Sequence, residues 1–83
     1  MNYRDLRGWI DAEPFSPFRI VMTDGRAFEI TSPNMLWPGR DTAMVGLPDD
    51  PAEPDVPARH VSVSMLHIVR VEPAGPTATV ASA

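Results

Sequence analysis

The chain has 83 residues, with seven arginines, no lysine, eleven carboxylates and no cysteine. That length holds one domain, the missing cysteines exclude a disulfide framework or thiolate metal site, and a formal charge of −4 argues against a broad nucleic-acid-binding surface. Apolar residues make up 43%, enough for a packed core. No apolar run is long enough for a membrane span or a signal-peptide core, so a cytoplasmic protein without membrane contact is expected.

Residues 3 to 10 carry Tyr3, Leu6 and Ile10 on one stripe widened by Trp9, with Arg4, Arg7 and Asp11 opposite. Asn2 is a suitable N-cap, Asp5 complements the helix dipole, and Pro14 is expected to stop a helix of about three turns. Such a short helix is marginal alone, so its stripe must dock. Next, Phe18, Ile20 and Met22 alternate with Arg19 and Val21, as Phe28 and Ile30 do with Ala27 and Glu29. A two-residue Asp24-Gly25 turn would scatter these apolar residues over both faces. A three-residue turn with Gly25 left-handed pairs Ile20 with Phe28, Phe18 with Ile30 and Arg19 with Glu29, and is the form expected.

Ser32-Pro33-Asn34 and Pro38-Gly39-Arg40-Asp41 read as turns around Met35-Leu36-Trp37. A third strand spans 42 to 47, with Gly46 marking a bend or close approach. A fourth spans 59 to 64, a tight turn covers 65 to 67, and a fifth strand spans 68 to 72. The domain is therefore placed at 1–73, and 74–83 is expected to be a disordered tail. Loop 48–58 holds Pro48, Pro51, Pro54 and Pro57 at every third position, with Asp49, Asp50, Glu53 and Asp55. This period suits an extended, stiff polyproline II segment able to reach ~30 Å. The loop's four carboxylates equal the whole net charge, so the body of the chain is neutral.

One helix and then five short strands predict a mainly β fold: a five-stranded, strongly bent antiparallel small barrel. Residues 14–20 (Pro-Phe-Ser-Pro-Phe-Arg-Ile), the Asp24-Gly25-Arg26 hairpin and Leu66-His67-Ile68-Val69-Arg70-Val71-Glu72 together resemble a family of small bacterial proteins with no assigned activity. That resemblance covers roughly residues 3 to 73 and implies the fold alone. More loosely, the order of elements is similar to the Sm-like and SH3-like small barrels. For the Sm-like barrels it implies RNA contacts at residues 41–44 and 64–67. Asp41-Thr42-Ala43-Met44 lacks the asparagine of that pattern, and Ser64-Met65-Leu66-His67 lacks its Arg-Gly.

His60 and His67 lie on different elements with no third ligand at a metal-site spacing, so no metal or cofactor is expected. Ser64-x-x-His67 lacks the glycines of a nucleophile elbow, and the chain is not expected to be an enzyme. The candidate interaction residues are Trp37, an aromatic beside a turn; Met35 and Met44, adaptable apolar contacts; Arg19, Arg26 and Arg40; and Asp49, Asp50, Glu53 and Asp55. The function expected from these is an interaction module that self-associates through edge strands or docks to a protein partner. The alternatives are a ring binding RNA and an acidic antagonist of a basic partner.

Overall fold

A computed structural model of the chain describes residues 1–74. Helix α1 (Tyr3–Ile10) starts as expected: the Asn2 side chain accepts the Asp5 N–H at 2.9 Å. It ends short of Pro14, at Asp11, whose own N–H still reaches the Arg7 carbonyl. Beyond that point Asp11 and Glu13 would add negative charge to the negative end of the helix dipole, which disfavours another turn. Leu6 and Ile10 are buried, and Trp9 packs at a tilt on Phe18, with ring centroids 5.5 Å apart. Tyr3, expected on the docked stripe, is instead exposed.

Strands β1 (Phe18–Met22) and β2 (Ala27–Ile30) form the expected hairpin. Phe18 faces Ile30, Arg19 faces Glu29 and Ile20 faces Phe28. The Gly25 N–H returns to the Met22 carbonyl at 3.0 Å and the Met22 N–H to the Arg26 carbonyl at 2.8 Å, with Gly25 at φ +91°. This is a type I turn closed by a glycine bulge.

The remaining strands are β3 (Leu36–Pro38), β4 (Thr42–Leu47), β5 (Arg59–Ser64) and β6 (Ile68–Pro73). The expected five-stranded barrel is corrected in two respects. Among the described residues there are six strands, and they form two three-stranded antiparallel sheets, ordered β2-β1-β6 and β3-β4-β5, with no closure into a barrel. The additional strand, β3, is only three residues long, too short to show a period of two in the sequence. A 3₁₀ turn over Pro33–Met35, capped by the Ser32 hydroxyl, carries the chain from the first sheet into the second. A second 3₁₀ turn, Met65–His67, brings it back.

This second corner is tied to both hairpin ends: the Thr23 N–H bonds the His67 carbonyl and the Met65 N–H bonds the Asp41 carbonyl, each at 2.8 Å. Between the sheets lies one core of Phe18, Ile20, Met22, Ile30, Leu36, Val45 and Val63, roofed by Leu6 and Ile10. Pairing of β1 with β6 slips between Val21 and Met22, leaving Val69 as an extra, exposed residue on β6. Ala74 is buried and its N–H bonds the Pro17 carbonyl, so the ordered chain runs past Pro73. The other residues expected in the tail, 75–83, lie outside the described residues.

Two glycines have open space around a would-be Cβ but opposite backbone needs. Gly25→Ala places a side chain at φ +91° and is expected to lower stability by about 1–2 kcal/mol. Gly8→Ala, on the exposed part of α1, is expected to raise it by about 0.5–1 kcal/mol. Urea midpoints at unchanged m-value check both signs.

Candidate interaction surface

The alternation of β4 puts Ala43 and Val45 into the core and leaves Thr42 and Met44 on the outer face of the second sheet. Register then aligns Trp37 beside Met44 from β3, and Ser62 and His60 opposite Met44 and Gly46 from β5. Trp37 is 44% exposed and Met44 43%. The Trp37 ring leans on the His60 ring, with centroids 5.3 Å apart and planes at 51°. Gly46 makes this possible. A Cβ there would lie 3.3 Å from Trp37 Cζ3, 3.1 Å from Pro57 Cβ and 3.2 Å from Met35 Cε, so the indole, Met35 and the end of loop 48–58 close over the missing side chain. Gly46 therefore marks the close approach expected of it.

Of the candidate methionines, only Met44 is at this surface. Met35 is buried at the end of the first 3₁₀ turn, its Cε reaching the space over Gly46 that the Trp37 ring also borders, and Met65 is buried within the second corner. Both belong to the buried core, which corrects the assignment of Met35 as a contact residue.

The arginines do not cluster. Arg19, expected to pair with Glu29, instead bonds Glu72 on its other flank at 2.9 Å, and Arg70 bonds the second Glu72 oxygen at 3.1 Å. Arg26 is held by Asp24 at 2.8 Å and lies over the Phe28 ring, 5.8 Å from its centroid. Arg7 is held by Asp11 at 2.7 Å. Among the described residues Arg4, Arg40 and Arg59 make no ion pair; they sit on α1, in the turn between β3 and β4, and at the start of β5.

Loop 48–58 is not the extended arm its proline spacing suggests. Glu53 N–H bonds the Asp50 carbonyl and Val56 N–H the Glu53 carbonyl, at 2.9 and 3.2 Å, so the loop folds through two successive turns. The Asp50 carboxylate fixes the first turn by accepting the Ala52 N–H at 2.9 Å. The cause is closure: Leu47 and Arg59 are paired neighbours, and the loop must return to within one strand spacing of its start. Thr31 Oγ1 reaches the Pro54 carbonyl at 3.5 Å, which places the loop beside the corner between β2 and β3. Asp49, Asp50, Glu53 and Asp55 have no cation within 4.0 Å among the described residues.

His67 Nδ1 lies 3.4 Å from Thr23 Oγ1, and no hydrogen bond joins it to Ser64 among the described residues. Thr23, Asp24, Arg26, Ser64 and His67 line a shallow depression of about 280 Å³. No three metal-ligating side chains converge among the described residues, and no helix there is long and apolar enough to cross a membrane.

The fold and surface define a small, mainly β protein of two open three-stranded sheets with an aromatic–methionine outer face. No family model, curated protein or solved structure matches it.

Hydrogen bonding from Arg70, reinforced by the Arg70 and Arg19 charges, holds the Glu72 carboxyl below its usual 4.5, with partial desolvation opposing. Its folded pKa lies below its unfolded one. Its contribution is therefore full above the unfolded value, declines as pH falls through that value, and is gone below the folded one. Thermal melts of Glu72→Gln are expected to show lower stability at neutral pH and a shallower loss between about pH 5 and pH 3 than the parent chain. Asp24 and Asp11, lowered by Arg26 and Arg7, keep the slope from vanishing.

Proposed function

We propose that the chain is a non-enzymatic interaction module that self-associates through its edge strands, with β5 as the contact. One observation carries this reading: the two long edges are unequally protected. Edge strand β6 has a bulge at Val69, the charges of Arg70 and Glu72, and Pro73. These are the features by which natural sheets discourage edge pairing. Edge strand β5 pairs with β4 in unbroken register over six residues and, after Arg59, runs His60-Val61-Ser62-Val63-Ser64 with no carboxylate, arginine or lysine, no proline and no bulge.

Antiparallel pairing of β5 with β5 of a second copy makes a two-fold contact, the commonest form of self-association. It joins two three-stranded sheets into one of six and keeps Val61 and Val63 on the buried side. It also separates the two acidic loops, since each leaves β5 at the Arg59 end and the strands run in opposite directions. The RNA-ring alternative has less support. It needs a convergent basic surface, whereas four of the seven arginines are closed by carboxylates. The cysteine-free composition supports the cytoplasm as the compartment, and kinship with the small barrels belongs to this same reading.

Light scattering coupled to size exclusion is expected to give twice the chain mass at micromolar to millimolar concentration. Ser62→Lys sets two cations near one another across the two-fold axis and is expected to give a monomer with an unchanged far-ultraviolet dichroism spectrum. A monomeric parent chain at every concentration, or a Ser62→Lys variant of unaltered mass, overturns the reading.

A further inference from the structure

The outer face of β3-β4-β5 stays open whether or not β5 pairs, and it carries two complementary features. The first is apolar: Trp37 and Met44, side by side on paired strands and each more than 40% exposed, with His60 against the indole. Tryptophan and methionine are enriched at binding surfaces, tryptophan as a rigid anchor and methionine as an adaptable filler. The second is electrostatic. Loop 48–58 rises from the Gly46 end of the same face, and its Pro57 lies within a few ångströms of the position where Gly46 brings Trp37 close. Its four carboxylates have no cation within 4.0 Å among the described residues, although Arg59 stands at its base, four positions after Asp55. The loop is also organised: turns closed at Asp50 and Glu53 and the contact with Thr31 limit the ordering cost of binding.

We propose that this face docks a basic segment of another protein, seating an apolar side chain between Trp37 and Met44 and setting its cationic residues against the loop carboxylates. Charge complementarity selects the occupant. A single-stranded nucleic acid can stack on Trp37 and His60, but its phosphates meet an uncompensated charge of four at the loop. A second copy of this chain offers less to the loop, since its unpaired Arg4, Arg40 and Arg59 are divided among α1, the turn between β3 and β4, and β5. A basic, apolar peptide satisfies both features. The proposal stands independently of edge pairing, because the oligomeric state is read by mass and the docking by titration.

The test is calorimetric titration of the full chain with a short peptide of arginine and leucine. The controls are the same peptide with glutamate for arginine, the same with serine for leucine, and a uridine oligonucleotide. The arginine–leucine peptide is expected to bind, weakening about tenfold or more between about 50 and about 300 mM salt as screening shortens the reach of the loop charges. The combined variant D49N/D50N/E53Q/D55N keeps an amide oxygen at position 50 to accept the Ala52 N–H, and is expected to weaken binding by about tenfold or more. Met44→Ser is expected to weaken it several-fold while leaving the salt dependence unchanged. The proposal is overturned by no binding at millimolar peptide, by equal binding of the serine or glutamate peptide, by binding of the oligonucleotide in place of the peptide, or by an unchanged affinity of the amide variant whose dichroism matches the parent.

Discussion

The glycine-closed turn at Thr23-Asp24-Gly25 is the constraint on which the rest of the structure depends. It sets β1 against β2 so that Phe18, Ile20 and Met22 share one face with Phe28 and Ile30. A slip of one residue would put the apolar side chains of one strand on the face opposite to those of the other. Strand β1 is also the centre of its sheet, with β6 on its other side, so the same register decides which face of β6 turns inward. Gly25 at φ +91° makes the turn possible. The Asp24 carboxylate holds it by taking the Arg26 N–H at 3.0 Å and the Arg26 side chain at 2.8 Å.

The hairpin cannot bury its apolar face alone, and the two 3₁₀ corners supply the opposing layer. Each corner carries one buried methionine, Met35 or Met65, whose flexible side chain adapts to the space around it. Turning the chain in this way avoids a long, continuous strand but leaves the sheets open at their edges. The consequences fall unequally on the two exposed long strands. Strand β6 is bulged, charged and proline-terminated, while β5 is regular and carries no carboxylate, arginine or lysine beyond Arg59. The outer face beside β5 is likewise unusual in showing Trp37 and Met44 to solvent, and the proposed function follows from these two facts.

Much of this architecture is legible in the residues. The helix cap at Asn2, the hairpin register, the strands at 42–47, 59–64 and 68–72, and the close approach at Gly46 all rest on local rules: capping, alternation of two, glycine geometry. What is not legible has a common physical cause, namely contacts between segments distant in sequence. β3 is recognised as a strand only by its pairing with β4. Met35 is buried as the last residue of a 3₁₀ turn, though its place between two turns resembles that of an exposed loop residue. Proline at every third position suggests an extended segment, yet the pairing of Leu47 with Arg59 forces the loop to fold back. Arg19 has carboxylates on both flanks, and the choice of Glu72 over Glu29 is decided by β6, which lies more than forty residues away. Of the candidate site, Trp37 and the loop carboxylates are legible by residue type, whereas the contribution of His60 emerges only from cross-strand register.

Hydrogen exchange at dilute and at concentrated protein tests most directly the claim that β5 is the contact edge. Amides of residues 59–64 that do not bond β4 are expected to gain protection as concentration rises, while those on the free edge of β6 keep constant exchange rates. Concentration-independent exchange along β5, or protection that grows on β6 instead, would contradict it.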